Sequence, residues 1–426
     1  MGQARAVGQD QAGVTTGRSV HVAPTTAVRS TLPRRLREIR SLEDFEAAAR
    51  RHLPAPLFGY IHAAADGLAS ARHNRDAFDE HEWLPSYLQD VSARAMDVRL
   101  LGHDWSLPFG IAPMGLNAMS AYRGDVVLAQ AAANAGVPFV MSGSSLVPME
   151  DVVRANPQAW FQAYVTGNAE RTAALIERVA RAGYGTLVIT IDVQAPPNIE
   201  DAYRAGFTAP LRPSVGLAWQ GISHPRWLLG TFARTLLRHG MPHFENNDAH
   251  RGAPVLSRSV LRDFSDRGTF TIDHLRAIRR QWRGHLVVKG VLTAQDARRV
   301  ADAGADAIIV SNHGGRQLAG ARATLRALPE VVAACPGLPV MLDSGVRRGT
   351  DVLQALALGA RMVFVGRPFI QAAAVAGADG IRHAIELLAG EVSRGMGMLG
   401  VNRTDQLHPG LLVRRPSTFH PTRSTA

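Results

Sequence analysis

With 426 residues, 46% of them hydrophobic and 19% charged, the chain is long enough to bury a large core, which excludes a wholly disordered protein. The formal charge of +11 raises nucleic acid or an anionic membrane as partners, but much of the excess sits at the two ends. No stretch interleaves aromatic and basic residues as a single-strand platform does, so nucleic acid is not expected as a partner. One cysteine, Cys335, excludes an internal disulfide, and no apolar run is long enough to span a bilayer, so a cytoplasmic location is expected.

Residues 1–40 hold only two acids, Asp10 and Glu38, among several arginines, and read as a disordered basic tail. Residues 42–65 predict helix, and 84–101 irregular structure or a short hairpin. Eight short, nearly continuous apolar runs follow, at 107–113, 138–142, 160–165, 186–192, 285–290, 307–312, 339–344 and 362–367. Such runs suit strands buried on both faces. Between most of them lie helical stretches, as at 124–135, 169–182, 294–303 and 350–358. The pattern predicts an α/β fold, a (β/α)8 TIM barrel over residues 41–412, with a flexible C-terminal tail over 413–426. Nearly a hundred residues separate the fourth run from the fifth, so a large insertion is expected at about 208–270. Within it, 224–244 mixes Trp227, Leu228, Leu229, Phe232, Leu236 and Leu237 with Arg226, Arg234 and Arg238. That mixture suits a basic amphipathic helix at a membrane surface, or equally a lid on the barrel mouth.

Catalytic groups of such a barrel lie at the C-terminal ends of its strands, and phosphate is usually held after strands seven and eight. Strand four ends in Thr190 and Asp192, strand five in Lys289, and strand six in Ser311, Asn312 and His313, with Arg316 three residues on. Lys289 is the only lysine among 47 basic residues, and a core lysine is costly without a charge partner. Strand seven runs into Asp343, Ser344, Gly345 and Arg347, and strand eight into Gly366 and Arg367. Glycines let backbone N–H groups approach a phosphate there, and the two arginines can grip its oxygens. A neutral His313 can take a proton while Arg316 grips a carboxylate, and Asp192 can orient the imidazole. No metal is expected.

LVVKG at 286–290, SNHGGRQL at 311–318, LDSGVRRGTDVLQALALGA at 342–360 and VGRP at 365–368 resemble the FMN-dependent 2-hydroxy-acid oxidases and dehydrogenases, over about residues 42–410. The resemblance implies FMN as cofactor, a small-molecule substrate and an external electron acceptor, whether oxygen, a quinone or a carrier. It implies His313 as base, Asp192 as its partner, Lys289 beside the flavin ring, and Arg316 as ligand of the substrate carboxylate. Tyr60 and Tyr164 match two tyrosines that face the substrate. Pro113, Met114 and Gly115, with Ser142, Gln162, Thr190 and Ser311, match flavin contacts, and the phosphate would lie against Asp343 to Arg347, Gly366 and Arg367. The stretch GLNAM, the serine of LDSG and the 224–244 segment are most similar to the mandelate and lactate dehydrogenase branch, some of whose members attach to membranes through that segment. This ranks a quinone or membrane-linked acceptor above oxygen and puts peripheral contact with the inner face of the membrane alongside the cytoplasmic expectation. A homo-oligomer, a tetramer in the family, is implied too. Ser144 stands where some small-acid oxidases have tryptophan, which implies a roomier pocket.

Two positions depart from the family pattern. Ile199 stands where a second carboxylate-binding arginine belongs, and Ala319 where an acid follows RQL. Losing one charge-assisted contact forfeits on the order of 1.5–3 kcal/mol, with Arg204 a candidate to compensate. The departure opens a related expectation, a tailoring oxidase of a bulky hydroxy acid, an amine or a carrier-linked substrate. From other classes, Lys289 could form a Schiff base in an aldolase-type lyase, or the barrel could be a silent binding protein.

Overall fold

The structure, a computed structural model, describes residues 32–258 and 265–415. Eight strands form one parallel sheet: β1 (Phe109–Ile111), β2 (Val140–Ser142), β3 (Trp160–Ala163), β4 (Thr186–Thr190), β5 (His285–Val291), β6 (Ala307–Val310), β7 (Val340–Leu342) and β8 (Met362–Val365). Neighbours follow chain order from β2 to β8, and β8 pairs with β1 through Val365 against Ile111. A parallel bridge between Ile111 and Phe139 closes the ring into a barrel. All eight sequence runs are strands.

Side chains of a strand alternate between faces, and the two apolar clusters separate accordingly. Leu187, Ile189, Leu286, Val288, Ile308 and Val310 pack outward against the helices. Val140, Trp160, Val188, Val287, Ile309, Met341, Met362 and Phe364 fill the barrel interior. Two residues further along each strand, the same inward face carries Ser142, Gln162, Thr190, Lys289, Ser311, Asp343 and Gly366. The period of two thus lays a polar ring on an apolar plug.

The end of the barrel opposite this ring is stopped by an antiparallel hairpin, Val98–Leu100 with His103–Trp105. Its Trp105 meets Trp160 edge-on inside the barrel, at 6.5 Å between ring centres. Residues 84–97 are otherwise mostly irregular, in line with the sequence reading.

The helix expected over 42–65 is two helices, Asp44–His52 and Ala55–His62. Leu53 takes an extended conformation because Pro54 follows, and a proline disfavours helical geometry in the residue before it. The basic tail expected over 1–40 lies outside the described residues as far as 31, but Leu32, Leu36 and Ile39 are buried, so the packed chain starts before residue 41. Of the expected C-terminal tail, 416–426 lie outside the described residues, while Leu412–Arg414 pairs with His81–Trp83.

The β4–β5 connection carries helix Val215–Ile222 and a helical run from Pro225 to His239. Trp227 is buried, donates to the Met119 carbonyl at 2.6 Å and stacks on Phe232, which docks the run on the barrel. Leu229 and Leu237 face outward, 69% and 87% exposed, beside exposed Arg226, Arg234 and Arg238. Among the described residues no helix is long and apolar enough to cross a membrane.

Candidate active site

The polar ring opens into a cleft lined by Tyr60, Pro113, Met114, Gly115, Tyr164, Lys289, His313, Arg316, Asp343 to Arg347, Gly366 and Arg367, among others. Of the residues singled out in the sequence, Ser142, Gln162, Thr190 and Ser311 end their strands beneath the cleft, all buried, and Asp192 stands behind His313.

His313 leaves the end of β6 at φ +59°, followed by Gly314 at +67° and Gly315 at +78°. A side chain is strained in this left-handed region, and such strain is typically retained at functional sites. The turn is held by His313 N–H donating to Ser311 Oγ at 3.0 Å and Gly314 N–H to Ser344 Oγ at 2.9 Å. A Cβ at Gly315 would collide with the backbone of Ala71, so the turn packs directly on helix Ala69–Asp76. His313 Nδ1 lies 3.0 Å from Asp192 Oδ1. A carboxylate only accepts, so Nδ1 carries the proton, and the lone pair of the neutral ring is on Nε2, 3.4 Å from the Tyr164 hydroxyl. Burial would raise the Asp192 pKa, but His313 and Lys289 outweigh it and hold the carboxyl below its usual range. A Cβ at Gly290 would come within 2.9 Å of the Asp192 carboxyl carbon, so that glycine makes room for the pair.

Lys289, 3% exposed, donates to Ser311 Oγ at 2.8 Å and pairs with Asp343 Oδ2 at 3.2 Å. Burial pulls the ammonium's pKa down, yet the Asp343 and Asp192 carboxylates raise it above the ordinary lysine value. A Schiff-base lyase needs a neutral amine, and this lysine is kept charged.

On the β7–β8 side the guanidiniums are not in direct ion pairs. Arg367 donates to the carbonyls of Ile61, Ala63 and Gly314, Arg347 to that of Val346, and Arg316 to those of Tyr60 and Ala63. Among the described residues none of the three pairs with a carboxylate. Burial, with Arg316 and Arg347 adding repulsion, pushes the Arg367 pKa down to about 9. One expected anion donor is spent, because the Arg347 and Arg348 N–H groups both donate to Asp351, at 2.7 and 3.0 Å.

FMN fits these residues. Its phosphate answers the unmatched guanidiniums, and Gln162 Nε2 and Thr190 Oγ1, buried at the cleft floor without a partner, are placed for a ring with polar edges. Sequence reasoning missed the reciprocal amide pair of Asn74 and Asn312, 2.8 Å in both directions, which ties helix Ala69–Asp76 to the base of the His313 turn. It also missed Arg267, whose guanidinium lies 4.5 Å over the Tyr164 ring. Neither Asn74 nor Arg267 belongs to a motif or a periodic run. Arg204, the expected compensator for Ile199, is instead exposed and paired with Glu200 and Asp201 at 3.0 and 2.9 Å.

The sequence matches the family described as FMN-dependent dehydrogenase over residues 49–414. It is 35% identical over 373 residues to (S)-mandelate dehydrogenase of Pseudomonas putida, covering 87% of this chain and 93% of that one. It is 38% identical over 386 residues to L-lactate dehydrogenase of Caulobacter sp. (strain K31), covering 88% and 99%. A solved structure of (S)-mandelate dehydrogenase, described as a monotopic membrane protein, superposes with a TM-score of 0.80 at 34% identity, covering 89% of this chain and all of that one. With the barrel, the cleft and these likenesses together, the chain belongs to the FMN-dependent dehydrogenases, the family of 2-hydroxy-acid-oxidising flavoenzymes that includes mandelate and lactate dehydrogenases.

Proposed function

We propose that the cleft oxidises a 2-hydroxy acid to the 2-oxo acid, with His313 as base. The observation that carries this reading is the His313–Asp192 pair, which leaves the Nε2 lone pair beside Tyr164 and within the cleft that Arg316 and Lys289 also line. Arg316 has one nitrogen fixed by two backbone carbonyls, and its remaining N–H groups receive the substrate carboxylate. His313 Nε2 accepts the hydroxyl proton, and Asp192 stabilises the imidazolium that forms. Tyr164 and Tyr60 line the cleft and orient the substrate hydroxyl and carboxylate. Arg347, Arg367 and the Ser344–Gly345 turn hold the FMN phosphate; Pro113 to Gly115, Ser142, Gln162, Thr190 and Ser311 hold the ring, with Lys289 at its polar edge. When bound, FMN supplies the acceptor for the two electrons released from the substrate carbon, and an external acceptor then removes them.

An anaerobic absorbance titration tests the activity, using a panel from glycolate and lactate to mandelate and larger 2-hydroxy acids. Bleaching of the flavin band by at least one acid is expected. A flavin left oxidised by all of them returns the tailoring-oxidase reading.

A second reading concerns location. Val215, Trp219, Ile222, Leu229 and Leu237 are each more than 60% exposed on two consecutive helical stretches of the insertion, interspersed with arginines. An apolar face of this kind with basic flanks suits the interface of an anionic membrane, and a membrane quinone is then the nearest acceptor. Co-sedimentation with anionic vesicles is expected for the parent protein and lost in the Leu229→Asp, Leu237→Asp variant, with flavin reduction unchanged. Equal sedimentation of both proteins rejects this reading.

A further inference from the structure

Asp125 is a fully buried carboxyl that no step of the proposed reaction uses. Among the described residues no cation pairs with it, and Arg123 beside it is bound to Asp151 at 2.7 Å. Burial pushes its pKa up to about 6, against hydrogen bonding from Asn117 and Ser145 that pulls it down. An ionised carboxyl without a counter-charge destabilises the fold, and groups with such perturbed titration cluster at functional sites.

Its partner Asn117 is 1% exposed, and the Asn117 Nδ2 donates to Asp125 Oδ1 at 2.8 Å and to the Met114 carbonyl at 2.9 Å. Both hydrogens of the amide are engaged by acceptors, so the side chain has one orientation. The start of helix Gly124–Ala135 is locked against the same residue, because a Cβ at Gly124 would stand 2.3 Å from the Asn117 carbonyl oxygen. Leu116, between Met114 and Asn117 in the chain, is held at φ +62°, a strained value for a leucine.

The Met114–Gly115 peptide is trans, and in a trans peptide the carbonyl and the following N–H point in opposite directions. Asn117 draws the Met114 carbonyl into the barrel wall, so the Gly115 N–H is turned the other way, toward the cleft that both residues line. Among the described residues no backbone acceptor meets that N–H. A Cβ at Gly115 would come within 2.8 Å of the Tyr60 hydroxyl, so the backbone itself stands at the cleft surface.

We propose that Asp125 and Asn117 are positioning residues for the flavin ring. The carboxylate orients the amide, the amide fixes the Met114–Gly115 peptide, and the peptide presents the Gly115 N–H to the ring as a donor. This rests on the placement of the ring against Pro113 to Gly115.

Two readouts test it: the FMN Kd from fluorescence titration of the apoprotein, and mass-spectrometric hydrogen exchange resolved to the Gly115 N–H. In the parent, FMN is expected to slow that exchange. In Asn117→Ala and in Asp125→Ala the FMN Kd is expected to rise about three- to tenfold and the slowing to be lost. Asp125→Asn keeps an accepting oxygen in the same place and sheds the buried charge, so a Kd within about twofold of the parent is expected of it. The paired variant Asn117→Leu, Asp125→Leu replaces both partners with apolar groups, which protects the fold where a single alanine leaves an amide or a carboxyl unpaired. It is expected to lose the slowing as well. Slowing that persists in the paired variant, or an Asp125→Asn variant as impaired as Asp125→Ala, overturns the assignment. FMN that binds the parent and leaves Gly115 exchange untouched overturns the placement of the ring instead.

Discussion

At the ends of β4, β5 and β6, the buried charges have side-chain partners: the Asp192 carboxylate has the His313 imidazole, and Lys289 has Asp343. Across the same rim, after β7 and β8, the Arg347 and Arg367 guanidiniums donate, among the described residues, to backbone carbonyls rather than to carboxylates, and they repel one another. The charges of the first side are balanced by side chains, and those of the second are not. On the proposed reading the first side handles the proton, and the second keeps its positive charge for the cofactor's phosphate.

The largest expected effect lies on the matched side. His313→Gln removes the base and should lower the rate of flavin reduction by about 10²–10⁴-fold, with the oxidised flavin spectrum intact. Stopped-flow reduction measures it, and loss of the flavin spectrum would mean the two sides are not separable. On the unmatched side, Arg367→Ala should weaken FMN binding on the order of ten- to a hundredfold while reduction of the saturated enzyme changes little. Fluorescence titration of the apoprotein checks this, and Arg347→Ala controls for the carbonyls that Arg367 also braces. Smaller again, inorganic phosphate should raise the Tm of the FMN-free protein and lose that effect in Arg367→Ala, because an anion bound only by the folded state stabilises it. An equal rise in both proteins would locate the anion elsewhere.

The smallest effect is the pH dependence of the matched side. The Asp192 carboxyl is held below its ordinary pKa, so its ionised form favours the fold at pH values above the unfolded carboxylate's pKa, about 3.9. That contribution is lost as pH falls through the lowered folded value. Thermal melts should therefore show the parent losing ground to Asp192→Asn on acidification, and a constant difference between them would contradict the pairing.

The barrel was legible because strands buried on both faces leave continuous apolar runs, and each run ends in the polar residue that the alternation turns inward. Lys289, His313 and Arg316 were legible for the same reason, since strand ends fix their place. Pro54 already announced the break in the 42–65 helix through its effect on Leu53. Arg267 was not legible, because its position depends on where a long connection returns to the barrel, and no local pattern encodes that. Arg204 illustrates the converse: nearness to Ile199 in sequence gave it a role that its ion pairs at the surface deny.

The hairpin that seals the far end of the barrel with Trp105 against Trp160 leaves, among the described residues, the cleft mouth as the way in. The donor that delivers electrons and the acceptor that carries them off must use the same opening in turn. Such a queue predicts ping-pong kinetics, with double-reciprocal lines that stay parallel as the acceptor concentration changes.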